Sequence, residues 1–231
     1  MRMMKTLLSG FGPFGSVIVN PSARIAEQLG SEGVEGHDLH ARVLPVSFAR
    51  AAETIRLELA THRFDLALLV GVDSKGDRIK LERCARNRAG TAIPDSDGYQ
   101  PTGSVLFDGP GVLTSKVDVD SLQAFLEDAG ISLLISDDAG SYVCNHTYYA
   151  ALEAIQLHDL PTRCLFIHVP LDPDAFAENS GVQALGRSDG QPDSSRMNLH
   201  DLVRAIRLTL THLADRSGQP LLLDQNPPGD L

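Results

Sequence analysis

The chain has no tryptophan and only three cysteines, Cys84, Cys144 and Cys164, in 231 residues. An odd number at irregular spacing makes no disulfide framework, and no pair forms Cys-x-x-Cys. The expectation is free thiols in a reducing compartment, hence a cytoplasmic protein. His-Glu-x-x-His is missing too, so a zinc site finds no support in the pattern. Apolar runs are short: none approaches the roughly 20 residues needed to span a bilayer. Met1–Gly10 holds a few apolar residues, has no small-residue cleavage site and runs into a glycine-rich turn, which reads as a first strand rather than a signal peptide. Runs of lysine and arginine are also lacking, and the net charge is −10. A chain this acidic does not gather phosphates by its field, which argues against nucleic acid as the main partner.

What is present is the composition of an ordinary globular protein, 42% hydrophobic and 22% charged, at a length suited to one large domain. Apolar segments alternate in type. Lys5–Ser9 predicts a strand, and Asn20-Pro21 caps a helix running to about Gly30. Leu39–Pro45 predicts a second strand, and Ser47 caps a helix to about His62, with Ala51, Ile55 and Leu59 at i, i+4 spacing. Phe64–Val72 is almost continuously apolar, as for a strand buried on both faces. Arg78–Cys84 alternates, with Ile79 and Leu81 on one side and Lys80, Glu82 and Cys84 on the other. Residues 85–112 read as a long loop with room for a small hairpin. Asp120 is the expected cap of a helix ending at Gly130, followed by a buried strand, Ile131–Ser136. Cys144 opens a helix to about His158, Arg163–Val169 is the next strand, and Asn198–Ala214 the last helix. Residues 171–196 show little periodicity. The expected fold is α/β: a single-domain three-layer α/β/α sandwich around an open, mostly parallel twisted sheet. The domain should span 1–215, with 216–231 as a flexible tail.

Ligands of open parallel sheets bind beyond the carboxyl ends of the strands, and three reactive residues fall there. Cys144 follows strand 131–136 at a helix start, where orphan amides and the helix dipole favour a thiolate. His168 ends strand 163–169 and could exchange protons with that thiol and with a leaving amine. Glu82 could hold the far ring nitrogen and fix the tautomer. Spacing alone leaves plainer readings open: a packing cysteine, a core histidine, a solvated carboxylate. His146, two residues from Cys144 on a helix, does not face it. Ser9–Gly15 (SGFGPFG) follows a strand but lacks dinucleotide-fingerprint spacing.

Several segments taken in order resemble the pyroglutamyl peptidase I family. They are Ser9–Gly15 with Asn20-Pro21-Ser22, Glu82-Arg83, Ile93-Pro94-Asp95 with Gly98 and Gln100-Pro101, Ser141–His146 (SYVCNH), and Phe166–Pro170 (FIHVP). The resemblance covers about residues 5–172, with a weaker echo at Met197–Leu210. It implies a cysteine exopeptidase (an omega peptidase) that removes N-terminal pyroglutamate from peptides and needs no metal or cofactor. Cys144 would be nucleophile, His168 general base and acid, and Glu82 its orienting carboxylate. Phe11 and Phe14 would flank the lactam ring, which is flat and uncharged and suits aromatic faces. A charged free N-terminus would be rejected as an unpaired buried charge. The family's assembly implies a homotetramer or homodimer, with no membrane or nucleic acid partner. Many bacterial members carry an arginine just before Ile-Pro-Asp that is thought to help hold the oxyanion. Ala92 stands there, which makes Arg88 and Arg86 the candidate replacements. The turn Gly71–Asp77 (GVDSKGD) also departs from the family pattern. Two other readings stay open: a weak relative that binds N-blocked peptides or a small lactam, and an amidase acting on another cyclic amide.

Overall fold

The computed structural model describes residues 2–90, 93–103, 107–172 and 197–215. Its central sheet has six strands in the order β2-β1-β3-β8-β4-β7. These are β1 (Met4–Phe11), β2 (His37–Leu44), β3 (Leu66–Asp73), β4 (Ile79–Glu82), β7 (Leu133–Ser136) and β8 (Arg163–Pro170). β1, β2, β3 and β8 run parallel. β4 pairs antiparallel with β8 and parallel with β7. β5 (Cys84–Arg86) and β6 (Val112–Thr114) form a separate antiparallel pair that brackets the long loop, rather than the expected small hairpin within it.

Five helices occur among the described residues: α1 (Pro21–Glu32), α2 (Phe48–His62), α3 (Val119–Asp128), α4 (Val143–Leu157) and α5 (Leu199–Asp215). One face of the sheet is covered by α1, α3 and α5 through Ile25, Leu29, Leu122, Leu126, Leu202 and Ile206. The other is covered by α2 and α4 through Ile55, Leu59, Tyr148 and Ile155. The two-residue period of a strand divides each apolar run between these layers. Leu66, Leu68 and Val70 point to the first face, Ala67 and Leu69 to the second. On β8, Leu165 and Ile167 go one way, Cys164 and Phe166 the other.

Local chemistry sets the helix ends. Asn20 accepts from the Ser22 amide with Pro21 following, and Ser47 accepts from the Arg50 amide, both as expected. The third cap differs from expectation. Asp118, not Asp120, accepts from the Ser121 amide, which leaves Asp120 in the first turn of α3. Strand β7 also differs: it lies at the sheet edge, with Leu133 buried and Leu134–Ser136 half-buried. A short apolar run looks the same in the middle of a sheet and at its rim. Gly10 lets α1 approach β1, since a Cβ there would lie 2.0 Å from the Ser22 carbonyl oxygen.

Candidate active site

Strand parity gathers the site on the α4 side of the sheet. Ile79 and Leu81 fill the core under α3 and α5, so Lys80 and Glu82 face the other way. His168, two residues after Phe166, shares that face. In the antiparallel register Lys80 lies opposite His168 and Glu82 opposite Phe166, so Glu82 is a diagonal neighbour of the ring, within reach of a long side chain. Glu82 Oε1 lies 2.7 Å from His168 Nδ1. Both side chains are buried, and Glu82 Oε2 finds no partner among the described residues. The Tyr148 hydroxyl donates to the Glu82 carbonyl and ties this strand end to α4.

Cys144 is the second residue of α4 and half-buried. The first amides of a helix have no intrahelical acceptor, and Tyr142 at the cap supplies no side-chain bond. The thiol fits over β3 because residue 71 is glycine: a Cβ there would lie 2.9 Å from Cys144 Sγ and 2.7 Å from the Phe166 ring. Cys144 and His168 line the same cavity. Burial alone would lower the pKa of His168, but the nearby Cys144 and the bonded Glu82 outweigh it and raise the pKa to about 10. This environment favours the imidazolium form of the ring.

The other two thiols are buried elsewhere. Cys164 lies under the sheet, where desolvation raises its pKa. Cys84 donates to the Asp137 carbonyl. His146 points away from Cys144, stacked on Phe107 with ring centroids 4.9 Å apart. Among the described residues no cluster of His, Cys, Asp or Glu is arranged to hold a metal ion.

A cavity of about 370 Å³ opens over Cys144 and His168. Phe11 and Phe14 both line it, together with Val46, Ile93 and Tyr142. Asn20 lies on the wall and donates to the Gly12 carbonyl, holding the glycine-rich turn. Arg88 and Arg86 are not on this wall. Arg88 forms a bidentate pair with Asp138 at 2.5 and 2.6 Å, and Arg86 donates to the Asp137 carbonyl. Ala92 lies outside the described residues. Asp73, Lys75 and Lys80 also line the cavity, and the sequence reading assigned them no role. The one available signal was that Lys80 shares its strand face with Glu82.

A thiol, an imidazole and a buried carboxylate gathered on one face of an open α/β sheet, near the carboxyl end of β8, define a thiol hydrolase. The family model described as pyroglutamyl peptidase matches residues 4–214, and the chain belongs to that family. A pyrrolidone-carboxylate peptidase of Chromobacterium violaceum is 34% identical over 209 residues, covering 90% of this chain and 91% of that protein. One from Pyrococcus furiosus is 33% identical over 212 residues, 91% of this chain and 100% of the relative. The solved structure of the pyrrolidone carboxyl peptidase from Thermococcus litoralis superposes with a TM-score of 0.82 at 30% identity, covering 93% of this chain and 94% of that one.

Proposed function

We propose that the chain is a cysteine exopeptidase that cleaves N-terminal pyroglutamate from peptides. The observation that carries this is the Cys144–His168–Glu82 line beside an aromatic-walled cavity, in a chain of the pyroglutamyl peptidase family. Cys144 Sγ, as thiolate, attacks the carbonyl carbon that follows the lactam ring, and the π electrons move to oxygen. The Cys144 backbone N–H at the start of α4 is placed to stabilise that oxyanion. On collapse the C–N bond breaks and His168 gives its proton to the departing amine, leaving a thioester. Water, deprotonated by His168, attacks the thioester. Pyroglutamate leaves, and the thiolate–imidazolium pair is restored. Glu82 holds the ring by Nδ1 throughout, so Nε2 faces the sulfur. Phe11 and Phe14 grip the flat lactam.

Residues 1–215 form the catalytic domain in this reading. A cytosolic location is supported by three free thiols, and the assembly is a homodimer or homotetramer. The test compares a pyroglutamyl reporter amide with prolyl and glutamyl ones. Turnover of the first alone is expected, with loss on thiol alkylation and a fall of roughly 10³-fold or more in Cys144→Ser. Cys84→Ser and Cys164→Ser should retain most of it. Binding of the pyroglutamyl reporter without turnover, or full activity in Cys144→Ser, would sink the assignment.

A further inference from the structure

The cavity has two unlike ends, and the strand order says which is which. Phe11 ends β1, on one side of β3 and β8, and Phe14, Val46, Ile93 and Tyr142 surround it. Lys80 is on β4, on the other side of β8. Cys144 and His168 sit between, over Gly71 of β3 and at the end of β8. The turn from β3 to β4 must cross the end of β8, and it brings Asp73, Ser74 and Lys75 to the cavity wall beside Lys80. Lys80 Nζ pairs with Asp73 Oδ2 at 2.6 Å, with both side chains about two-thirds buried or more. Lys75 donates its backbone N–H to Asp73 Oδ1. Its ammonium is exposed and pairs with no carboxylate among the described residues. The far end of the cavity therefore carries Lys75 and Lys80 beside Asp73, while Glu82 on the same strand is engaged by His168 and Asp77 in the turn by Arg78. Asp138, the other acid on the wall beside Glu82, is taken up by Arg88.

Resting on the proposed exopeptidase reading, we propose that this charged end receives the residue after the scissile bond and favours one that carries a carboxylate. With the lactam among the aromatics and Cys144 at the acyl carbon, the leaving group would extend past His168 toward β4 and its turn. There a carboxylate meets the exposed ammonium of Lys75 and the donors of Lys80, whereas a cationic side chain meets like charge. The carboxylate can be a side chain or the free terminus of a dipeptide, since the ammonium groups read the charge and not its origin.

The test measures kcat/KM for pyroglutamyl-X-alanine amides with X = Glu, Gln and Lys. A second arm compares pyroglutamyl-alanine with its amide, separating the terminal carboxylate from the side chain. The wild type should prefer Glu over Lys by about three- to tenfold, the range a partly solvated charge pair supports. Gln should fall between, and high salt should erode the ranking. Lys75→Glu should abolish or invert the preference, and Lys80→Gln should weaken it. A Glu/Lys ratio within about twofold of unity, or one unchanged in both variants, overturns the inference while turnover of the Gln peptide leaves the exopeptidase reading intact. No turnover of any of these peptides overturns both.

Discussion

Glu82 has one oxygen on His168 and the other buried without a partner among the described residues. Leaving a carboxylate oxygen unpaired inside a protein is costly. Here it has a use, because its contact with the ring raises the pKa of His168. Glu82→Gln retains the shape and removes the charge. His168 should then lose its proton at lower pH, so the alkaline limb of kcat/KM should move down by about one unit or more. The rate should fall by at least about 10²-fold, because the amide cannot stabilise the imidazolium. A purely structural Glu82 would lower activity without moving the limb, and that outcome would remove it from the mechanism. At this scale the sequence was informative. Cys144, His168 and Glu82 lie at strand or helix ends whose periodicity is readable. Asp73 was not legible as a partner of Lys80, because only the turn between β3 and β4 brings the two together.

The element that presents the thiol is the first turn of α4 and the loop before it. Asn145 is clamped onto the strand leading out of β5. It accepts from the Arg86 amide and donates to the carbonyls of Arg86 and Arg88. Ser141 donates to the Gly90 carbonyl, and Gly140 donates its amide to Asp138, which Arg88 holds. The sequence singled out Arg88 as a direct donor to the oxyanion, whereas its guanidinium here braces the loop. Under that role Arg88→Ala and Asp138→Asn should lower kcat by similar factors, below about tenfold, since each breaks the same exposed pair. A direct donor would cost about 10²–10³ on Arg88→Ala alone. Steady-state kinetics of the two variants decide between them. The helix itself was readable from the Val143–Leu157 pattern. The brace was not, because its cross-chain bonds join residues 50 or more positions apart.

Across the whole molecule, two buried histidines are held neutral. His37 bridges the Thr6 hydroxyl at 2.7 Å and the Leu210 carbonyl at 2.9 Å, linking β1, β2 and α5, and burial lowers its pKa. His146 is lowered to about 4, chiefly by burial, with Arg56 adding to it. Both fold best as the neutral form, so their contribution is complete above the unfolded pKa near 6.5 and is lost as pH falls below it. For His146 the loss approaches its limit near pH 4, on the order of 3 kcal/mol. His168 has the opposite sign: its raised pKa adds stability below pH 6.5 that is lost as pH climbs toward 10. Chemical denaturation at pH 7 and pH 4.5 should show a clear loss in acid. His146→Phe should reduce that loss, keeping the stack on Phe107 while removing the proton site. An equal loss in the variant would mean that carboxylates dominate the acid limb.

The sequence by itself determined the layered α/β fold, the helix caps at Asn20 and Ser47, and the positions of the thiol, imidazole and carboxylate. These follow from short-range rules: periodicity, capping chemistry, and the placement of reactive groups at the ends of elements. The tertiary structure decided what depends on long-range neighbours. It reversed β4 against β8, so that Glu82 approaches the ring diagonally. It put β7 at the rim, turned Arg88 onto Asp138, and brought the Asp73–Lys80 pair to the far end of the cavity. In each case the sequence holds both partners, but only the sheet order and the crossing of one strand end by a turn set the distance between them.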